Sequence, residues 1–130
     1  MEDVKINVKI KLSALWAAVT LSYAFGDILT FYEQGFIEGV IAGKGAGGML
    51  LTQEMLLGIA ISMVIPIVMV FLSVTLKNKA NRWANIIFGI FYTGFILITM
   101  LISTYAFYIF LGIVEAVFTA LIVWYAYKWK

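Results

Sequence analysis

Cysteine and histidine are both missing from this chain of 130 residues, and proline occurs once. The lack of cysteine excludes disulfide bonds, thiolate metal sites and cysteine nucleophiles. The lack of histidine removes the commonest general base in enzymes and the commonest metal ligand. We therefore expect neither a metal ion nor a cofactor, and catalysis is the least favoured class of function.

Charge is also scarce, since 12% of the residues are charged, 64% are hydrophobic and the mean hydropathy is +1.03. Soluble domains have roughly a quarter of their residues charged. A soluble fold of this length could not bury so much apolar surface, so the excess must face lipid. The formal net charge of +2 is too small to indicate nucleic acid as a partner. The composition thus predicts an all-α integral membrane protein whose surrounding partner is the lipid bilayer.

Four apolar runs are long enough to cross the hydrocarbon core of a bilayer, which takes about 20 helical residues. They are Leu12–Tyr32, Thr52–Leu76, Ala84–Ser103 and Tyr105–Tyr127. Helices are expected because each backbone polar group must find its hydrogen bond within the segment. The sequence therefore predicts one transmembrane four-helix bundle over residues 1–130.

Basic residues lie almost wholly at one end of the predicted spans. Of the nine, Lys44 alone falls in the loop between the first two spans. The other eight are Lys5, Lys9, Lys11, Lys77, Lys79, Arg82, Lys128 and Lys130. Because lysine and arginine concentrate in cytoplasmic loops, this pattern predicts that both termini are cytoplasmic. Trp16, Trp83, Trp124 and Trp129 fall near the same boundary, where they are expected to anchor the helices.

Two segments near that boundary have alternative interpretations. Lys5–Lys11 and the small-x-small pattern Ala24-Phe25-Gly26 resemble a cleaved secretory signal, but the run continues apolar beyond Asp27, which favours a membrane span. The segment Lys77–Asn85 is expected to cap and anchor a helix through its asparagines, Arg82 and Trp83, with a cytoplasmic partner site as the alternative.

The outer loop, residues 33–51, is the longest connection in the chain. Phe36, Ile37, Val40 and Ile41 recur at helical spacing, which predicts a short amphipathic helix lying in the membrane interface. The glycine-rich run 43–48 should then form a flexible hinge. A phosphate-binding loop is the alternative, but Lys44 is not followed by the serine or threonine that the nucleotide-binding signature requires.

Polar and small residues in three of the spans recur at steps of three, four or seven, so each set lies on one helix face. The sets are Ser13, Trp16, Thr20, Tyr23, Asp27, Thr30 and Gln34 in the first span, Asn85, Gly89, Tyr92, Thr99 and Ser103 in the third, and Tyr108, Gly112, Glu115 and Thr119 in the fourth. Rows of small residues accompany them, at Gly112, Ala116 and Ala120 and at Gly58 and Ser62. Small residues let membrane helices approach closely, so we expect these faces to point into the bundle.

Glu115 is the only charged residue between Trp83 and Tyr127. At about 1.5 Å per helical residue, Ser62, Asp27, Thr99 and Glu115 all lie roughly 18–22 Å from the cytoplasmic boundary, in one polar layer. Because a carboxylate at this depth is costly and no basic residue shares the layer, we predict that Glu115 is protonated at rest and donates to a tyrosine or threonine hydroxyl. A purely structural Glu115, neutral and hydrogen-bonded, is the alternative. Asp27 has a surface alternative, as a helix-end residue exposed to water or paired with Lys44.

The residues of the polar layer and its surroundings are the candidate site for a ligand or a proton. They are Glu115, Asp27, Tyr92, Tyr108, Thr99, Ser62 and Thr119. Pro66 should kink the second span and free the backbone carbonyl of Ser62, which lies in the same layer.

Several segments resemble a family of uncharacterised four-span bacterial and archaeal membrane proteins, known only as a domain of unknown function. The segments are Lys11-Leu12-Ser13 with Leu15-Trp16, Asp27, Ile65-Pro66-Ile67, the stretch 80–87, Tyr108-Ile109-Phe110 with Val114-Glu115, and the stretch 122–126. The resemblance covers nearly the whole chain, and Arg82-Trp83-Ala84-Asn85 is its most specific part. It implies four helices and a location in the cell membrane of a prokaryote. It implies no activity.

Three functions compete on this basis. The first is a ligand-binding or proton-coupled transport unit that uses Glu115, with a small polar, cationic or lipid ligand. The second is a structural or accessory membrane protein in which the polar layer only sets helix packing. The third, ranked last, is an enzyme acting on a lipid or quinone with Glu115 and Asp27 as acid and base. The charge asymmetry argues against insertion in two orientations but is compatible with a parallel homodimer.

Overall fold

The computed structural model describes residues 6–45, 50–102 and 106–129, and nearly all of this part of the chain is helical. The helices are α1 (Val8–Thr30), α2 (Phe36–Ile41), α3 (Gln53–Thr75), α4 (Asn78–Ile102) and α5 (Ala106–Lys128). All but α2 are long and apolar enough to cross a membrane, in agreement with the four predicted spans. Some residues used in the sequence analysis lie outside the described ranges, namely Lys5, Ala46, Gly47, Gly48, Ser103, Tyr105 and Lys130.

Capping side chains mark where α1 and α3 begin. α1 begins at Val8, before the predicted Leu12, because the Asn7 side chain accepts a hydrogen bond from the Lys9 amide at 2.8 Å. The Thr52 hydroxyl caps α3 in the same way, accepting from the Met55 amide at 3.1 Å. α1 therefore begins before its predicted run, whereas α3 lies within the predicted run Thr52–Leu76.

The short helix predicted in the outer loop is present as α2. It lies between Gly35 and Gly43, whose φ angles of 82° and 83° are in the left-handed region that favours glycine. These two glycines explain why the helix has only six residues. No residue of α2 is buried.

The four long helices form an antiparallel bundle in which α1 packs between α3 and α5, and α4 packs against α5. Contacts between α3 and α4 are sparse. The core contains Leu12, Trp16, Val19, Met69, Tyr92, Ile122 and Ala126.

Gly112, Glu115 and Thr119 are buried, which confirms that this face of α5 points inward. Gly89 of α4 is also buried, and a Cβ atom there would lie 2.7 Å from Val123 Cγ2 of α5, so the small residue permits this close approach.

A group of buried polar side chains joins three helices at the end of the bundle nearest both chain termini. Asn85 Oδ1 accepts from Trp16 Nε1 at 2.7 Å and from Ser73 Oγ at 3.3 Å. Asn85 Nδ2 donates to Asn81 Oδ1 at 2.6 Å, and Asn81 Nδ2 donates to the Ser73 carbonyl at 2.7 Å. All four side chains are fully buried. We call this set, Trp16, Ser73, Asn81 and Asn85, the asparagine network.

The asparagine network corrects two expectations. Trp16 is not an interfacial anchor, because it has no exposed surface, whereas Trp83 and Trp124 are about half exposed. Asn81 caps the C-terminal end of α3, as expected, by donating to the carbonyls of Ser73 and Leu76, but Asn81 and Asn85 are buried and do not anchor a helix at the interface. Buried polar groups in an apolar bundle must find hydrogen-bond partners within the protein. The asparagine network provides such partners for the buried polar side chains of α1, α3 and α4.

Two basic residues at the same end cap the C-termini of neighbouring helices. Lys9 Nζ donates to the carbonyl of Leu76 at the end of α3, at 3.1 Å. Arg82 donates through Nε to the Ala126 carbonyl at 3.0 Å and through Nη2 to the Tyr127 carbonyl at 3.1 Å. Helix C-termini carry unpaired carbonyls and partial negative charge, so cations stabilise them.

Pro66 lies inside α3, which continues through it as one helix. Proline has no amide hydrogen, so the carbonyl of Ser62, one turn earlier, lacks its usual helical donor. The hydroxyl of Tyr92 donates to that carbonyl at 2.6 Å. The freed carbonyl predicted from the sequence is therefore satisfied by α4, at a place where the two helices otherwise touch little.

The N-terminal half of α3, residues 53–62, has no buried face. Every residue in it is exposed, and the buried residues of α3 are Pro66, Met69 and Ser73, all in the second half. A Cβ atom at Gly58 would meet nothing within 4 Å, so the expectation that Gly58 lies at a helix contact is wrong. A helix packed along its length buries a residue every three or four positions, so α3 packs against the core only in its second half, which includes Ile65.

Replacing Asn85 with leucine should destabilise the fold, because the buried Trp16 indole N–H would lose its acceptor. We expect a loss of about 1–3 kcal/mol in the free energy of unfolding, measured by circular dichroism in detergent micelles. Adding Trp16→Phe should recover part of the lost stability, because it removes the indole N–H that has no acceptor. A leucine variant as stable as the wild type would show that the asparagine network contributes little.

The Tyr92 to Ser62 bond can be tested with a double-mutant cycle. Tyr92→Phe should lower the free energy of unfolding by about 1 kcal/mol, because the Ser62 carbonyl loses its donor. In a Pro66→Ala background the new amide at position 66 can donate to that carbonyl, so the same tyrosine substitution should cost measurably less. Equal costs in the two backgrounds would contradict the proposed link between Pro66 and Tyr92.

Candidate functional site

A cavity of about 270 Å³ lies between all four long helices, on the side of Tyr92 away from the asparagine network. It occurs where α3 has separated from its neighbours. Its walls are formed by Tyr23, Gly26 and Asp27 of α1, Ile59, Ser62 and Met63 of α3, Phe91, Tyr92, Phe95, Ile96 and Thr99 of α4, and Tyr108, Leu111, Gly112 and Glu115 of α5.

The cavity brings together six of the seven candidate residues, namely Glu115, Asp27, Tyr92, Tyr108, Thr99 and Ser62. The seventh, Thr119, lies outside its wall. The Thr119 hydroxyl accepts from Thr93 Oγ1 at 2.7 Å and donates to the Ala116 carbonyl at 3.1 Å, and the side chain is fully buried. Thr119 therefore belongs to the contact between α4 and α5.

Glu115 is buried, with 8% of its surface exposed, and it lines the cavity. The expected hydrogen bond from its carboxyl group to a tyrosine or threonine hydroxyl is not found among the described residues. Asp27 and Tyr23 are close enough to interact with it electrostatically. No lysine or arginine of the described chain lines the cavity. The orientation predicted for Glu115 is thus confirmed, but the predicted hydrogen bond does not occur with any hydroxyl of residues 6–45, 50–102 or 106–129.

Tyr92 closes the cavity on the side of the asparagine network. Its ring lies edge-on to Trp16, with centroids 6.0 Å apart, and edge-on to Phe91 at 5.2 Å. The Tyr23 ring is tilted against it at 6.3 Å. Such arrangements are the favourable ones for aromatic pairs. The ring cluster separates the cavity from the packed, hydrogen-bonded half of the bundle.

The hydroxyl of Tyr23 is buried and has no hydrogen-bond partner in the part of the chain that the structure describes. Tyr23 lines the same cavity wall as Glu115, Tyr92 and Tyr108. A buried hydroxyl without a partner costs free energy, and such groups in folded proteins call for an explanation. Glu115 and Tyr23 thus give the cavity two polar groups whose hydrogen-bonding capacity is unused.

Asp27 differs from Glu115 because it is exposed although it lines the same cavity. Its neighbour Gly26 is buried, and a Cβ atom there would lie 3.7 Å from Leu111 Cδ1. Lys44, considered as a partner for Asp27, is not among the residues that line the cavity. The cavity therefore has one acidic group in its interior and one on the exposed surface of the bundle.

Two aromatic residues of the wall, Phe91 and Phe95, were not among the candidates. They are 59% and 52% exposed, and they follow one another at helical spacing on α4. In the sequence they have the pattern of residues that face lipid. Tyr23 is a third wall residue outside the candidate set, and its position on the polar face of the first span indicates from the sequence that it points inward.

The arrangement can hold a proton or a positively charged group. Two carboxyl groups and three tyrosines contribute oxygen atoms, and the remaining wall is mostly apolar. No group of three acidic residues that could bind a metal ion occurs among the described residues. The chemistry available is proton exchange, hydrogen bonding and attraction of a cation.

Comparison with known proteins gives a family and no function. No curated protein and no solved structure matches the chain. The profile of a family described as a family of unknown function (DUF6326) matches residues 3–130, nearly the whole chain. By this match, the chain belongs to the DUF6326 family of unknown function.

Proposed function

We propose that this chain is a multi-pass integral membrane protein that binds a small ligand in the cavity while Glu115 exchanges a proton. Such coupled binding is the central step of a proton-coupled transport unit. The observation that carries the proposal is Glu115 itself, a buried carboxyl group without a hydrogen bond to the described chain, on the wall of a cavity between apolar helices.

The membrane location is supported by the exposed surface. Large apolar side chains are exposed along all four long helices, for example Leu21, Leu57, Phe91 and Phe110, each more than half exposed. Soluble proteins rarely expose such continuous apolar surface. Eight of the nine basic residues belong to the end that carries the termini, which supports cytoplasmic termini.

Proton exchange is supported by the surroundings of Glu115. The titratable groups that line the cavity are Tyr23 and Asp27 of α1, Tyr92 of α4 and Tyr108 of α5, and the described lining residues of α3 include none. None of these groups is basic, so the protein provides no cation to compensate an ionised Glu115. A proton or the positive charge of a ligand can neutralise it, and the two then compete for the same carboxyl group.

The alternative, an accessory protein in which the polar groups only fix helix packing, explains less of the structure. Helix register is held by the asparagine network, in which every side chain is hydrogen-bonded across or within the helices. Glu115 makes no such bond to a described residue. A group that only fixed packing would be expected to use its hydrogen-bonding capacity.

The membrane orientation can be tested by labelling single cysteines, because the chain has none of its own. Glu38 of α2 and Asn78 of α4 are both exposed. A membrane-impermeant maleimide applied to intact cells should label Glu38→Cys, whereas Asn78→Cys should react only after the cells are opened. Labelling of both positions from the same side would contradict the proposed orientation.

Glu115→Gln tests proton exchange without requiring a known ligand. Infrared spectra of the wild-type protein in nanodiscs should contain a protonated-carboxyl band that disappears as the pH rises and that is missing from the variant. Because no hydrogen bond to a described residue is lost, the free energy of unfolding should change by less than about 1 kcal/mol.

Glu38→Gln is the matched control, since it makes the same chemical change at an exposed position outside the cavity. It should retain the titrating band. A band that survives in Glu115→Gln, or one that no pH change removes, would rule out proton exchange at Glu115. A strongly destabilised Glu115→Gln would favour the packing role instead.

A further inference from the structure

We propose that the ligand is an amphipathic organic cation dissolved in the bilayer, and that its charged head group reaches Glu115 through the gap between α3 and α4. This inference rests on the function proposed above and specifies the substrate class and the route by which it enters.

The charge of the cavity selects a cation. Glu115 and Asp27 both line it, and no basic residue of the described chain does. An anion would meet two acidic groups in an apolar surrounding, where repulsion is poorly screened. The positive charge of a ligand offsets the cost of ionising Glu115, so binding and proton release are linked.

The walls of the cavity favour an organic cation over an inorganic one. Metal cations such as calcium take six to eight oxygen ligands, whereas most of this wall is carbon. Five aromatic rings contribute to it, from Tyr23, Phe91, Tyr92, Phe95 and Tyr108. Aromatic faces attract organic ammonium groups, whose own surface is apolar, and such cages are a recurrent way of binding them.

The size of the cavity limits what it can enclose. Its volume of about 270 Å³ lies just below the range for sites that hold drug-sized molecules, which begins at about 300 Å³. A head group fits this space better than a whole amphiphile does. An apolar tail must therefore remain outside the cavity.

The gap between α3 and α4 provides the place for that tail. Residues 53–62 of α3 are all exposed, and the wall residues Ile59, Phe91 and Phe95 are 41%, 59% and 52% exposed. The hydrogen bond from Tyr92 to Ser62 crosses this gap at the inner limit of the cavity. Beyond that bond the two helices present apolar side chains, so a tail in the gap would stay in contact with lipid.

The test uses three single-chain amphiphiles that share a tail and differ in charge: hexadecyltrimethylammonium, hexadecanol and hexadecyl sulfate. Binding is measured by calorimetry to the whole protein in nanodiscs of glycolipid and phosphatidylglycerol, which contain no ammonium group. Buffers with different ionisation enthalpies report the protons released. Benzyltrimethylammonium, a water-soluble cation, serves as a competitor.

Hexadecyltrimethylammonium should bind to one site on the wild type and on Glu38→Gln, and its binding should release a proton. It should bind Glu115→Gln at least about tenfold more weakly, which is a difference of about 1.4 kcal/mol in binding free energy. Its affinity should fall by up to about tenfold per pH unit on acidification, because protons and the cation compete. It should displace benzyltrimethylammonium. The alcohol and the sulfate should not do so.

Each failure has a distinct meaning. Two results would overturn the ligand class and leave proton exchange intact. One is that hexadecanol or hexadecyl sulfate binds as tightly as the tailed cation. The other is that neither cation binds while the infrared band of Glu115 still titrates. Binding of benzyltrimethylammonium without displacement by the tailed cation would overturn the route from the bilayer. Loss of the infrared titration would remove the proposed function itself.

Discussion

Polar groups between apolar helices must find their partners within the protein, and this bundle meets that constraint fully at one end only. Around Asn85, three helices share a closed set of hydrogen bonds that includes the indole of Trp16 and the hydroxyl of Ser73. On the other side of Tyr92, the Glu115 carboxyl and the Tyr23 hydroxyl have no such partners in the described chain. The satisfied end holds the helices together, whereas at the other end two polar groups lack a hydrogen-bond partner among the described residues.

Much of the fold follows from the sequence by simple physical rules. Apolar runs of sufficient length give the four long helices, and the spacing of Gly112, Glu115 and Thr119 gives the inward face of α5. The spacing of the polar face in the first span also placed Trp16 inward, but it did not reveal which residue Trp16 contacts. Its partner, Asn85, lies 69 residues away along the chain, and sequence spacing carries no information over that distance.

The candidate site was predictable to a similar extent. Residues at one depth on inward faces meet in the cavity, so a count of helical turns was enough to select Asp27, Ser62, Thr99 and Glu115. The cavity itself could not be foreseen, because it exists only where the N-terminal half of α3 fails to pack. A membrane helix is apolar on the faces that touch lipid and on those that touch protein, so its composition does not reveal which of them are packed. For the same reason Phe91 and Phe95 could not be recognised as wall residues.

The hydroxyl of Tyr92 replaces a backbone bond with a side-chain bond at the point where α3 leaves the bundle. Pro66 removes the amide that would otherwise bond to the Ser62 carbonyl within α3, so α3 is tied to α4 at this point. Residues 53–62 of α3, which come before Pro66, are all exposed, and Ile59 and Ser62 among them line the cavity. A substitution at Ile59 should therefore change the cavity wall without disturbing the asparagine network, so the shape of the cavity can vary independently of the core.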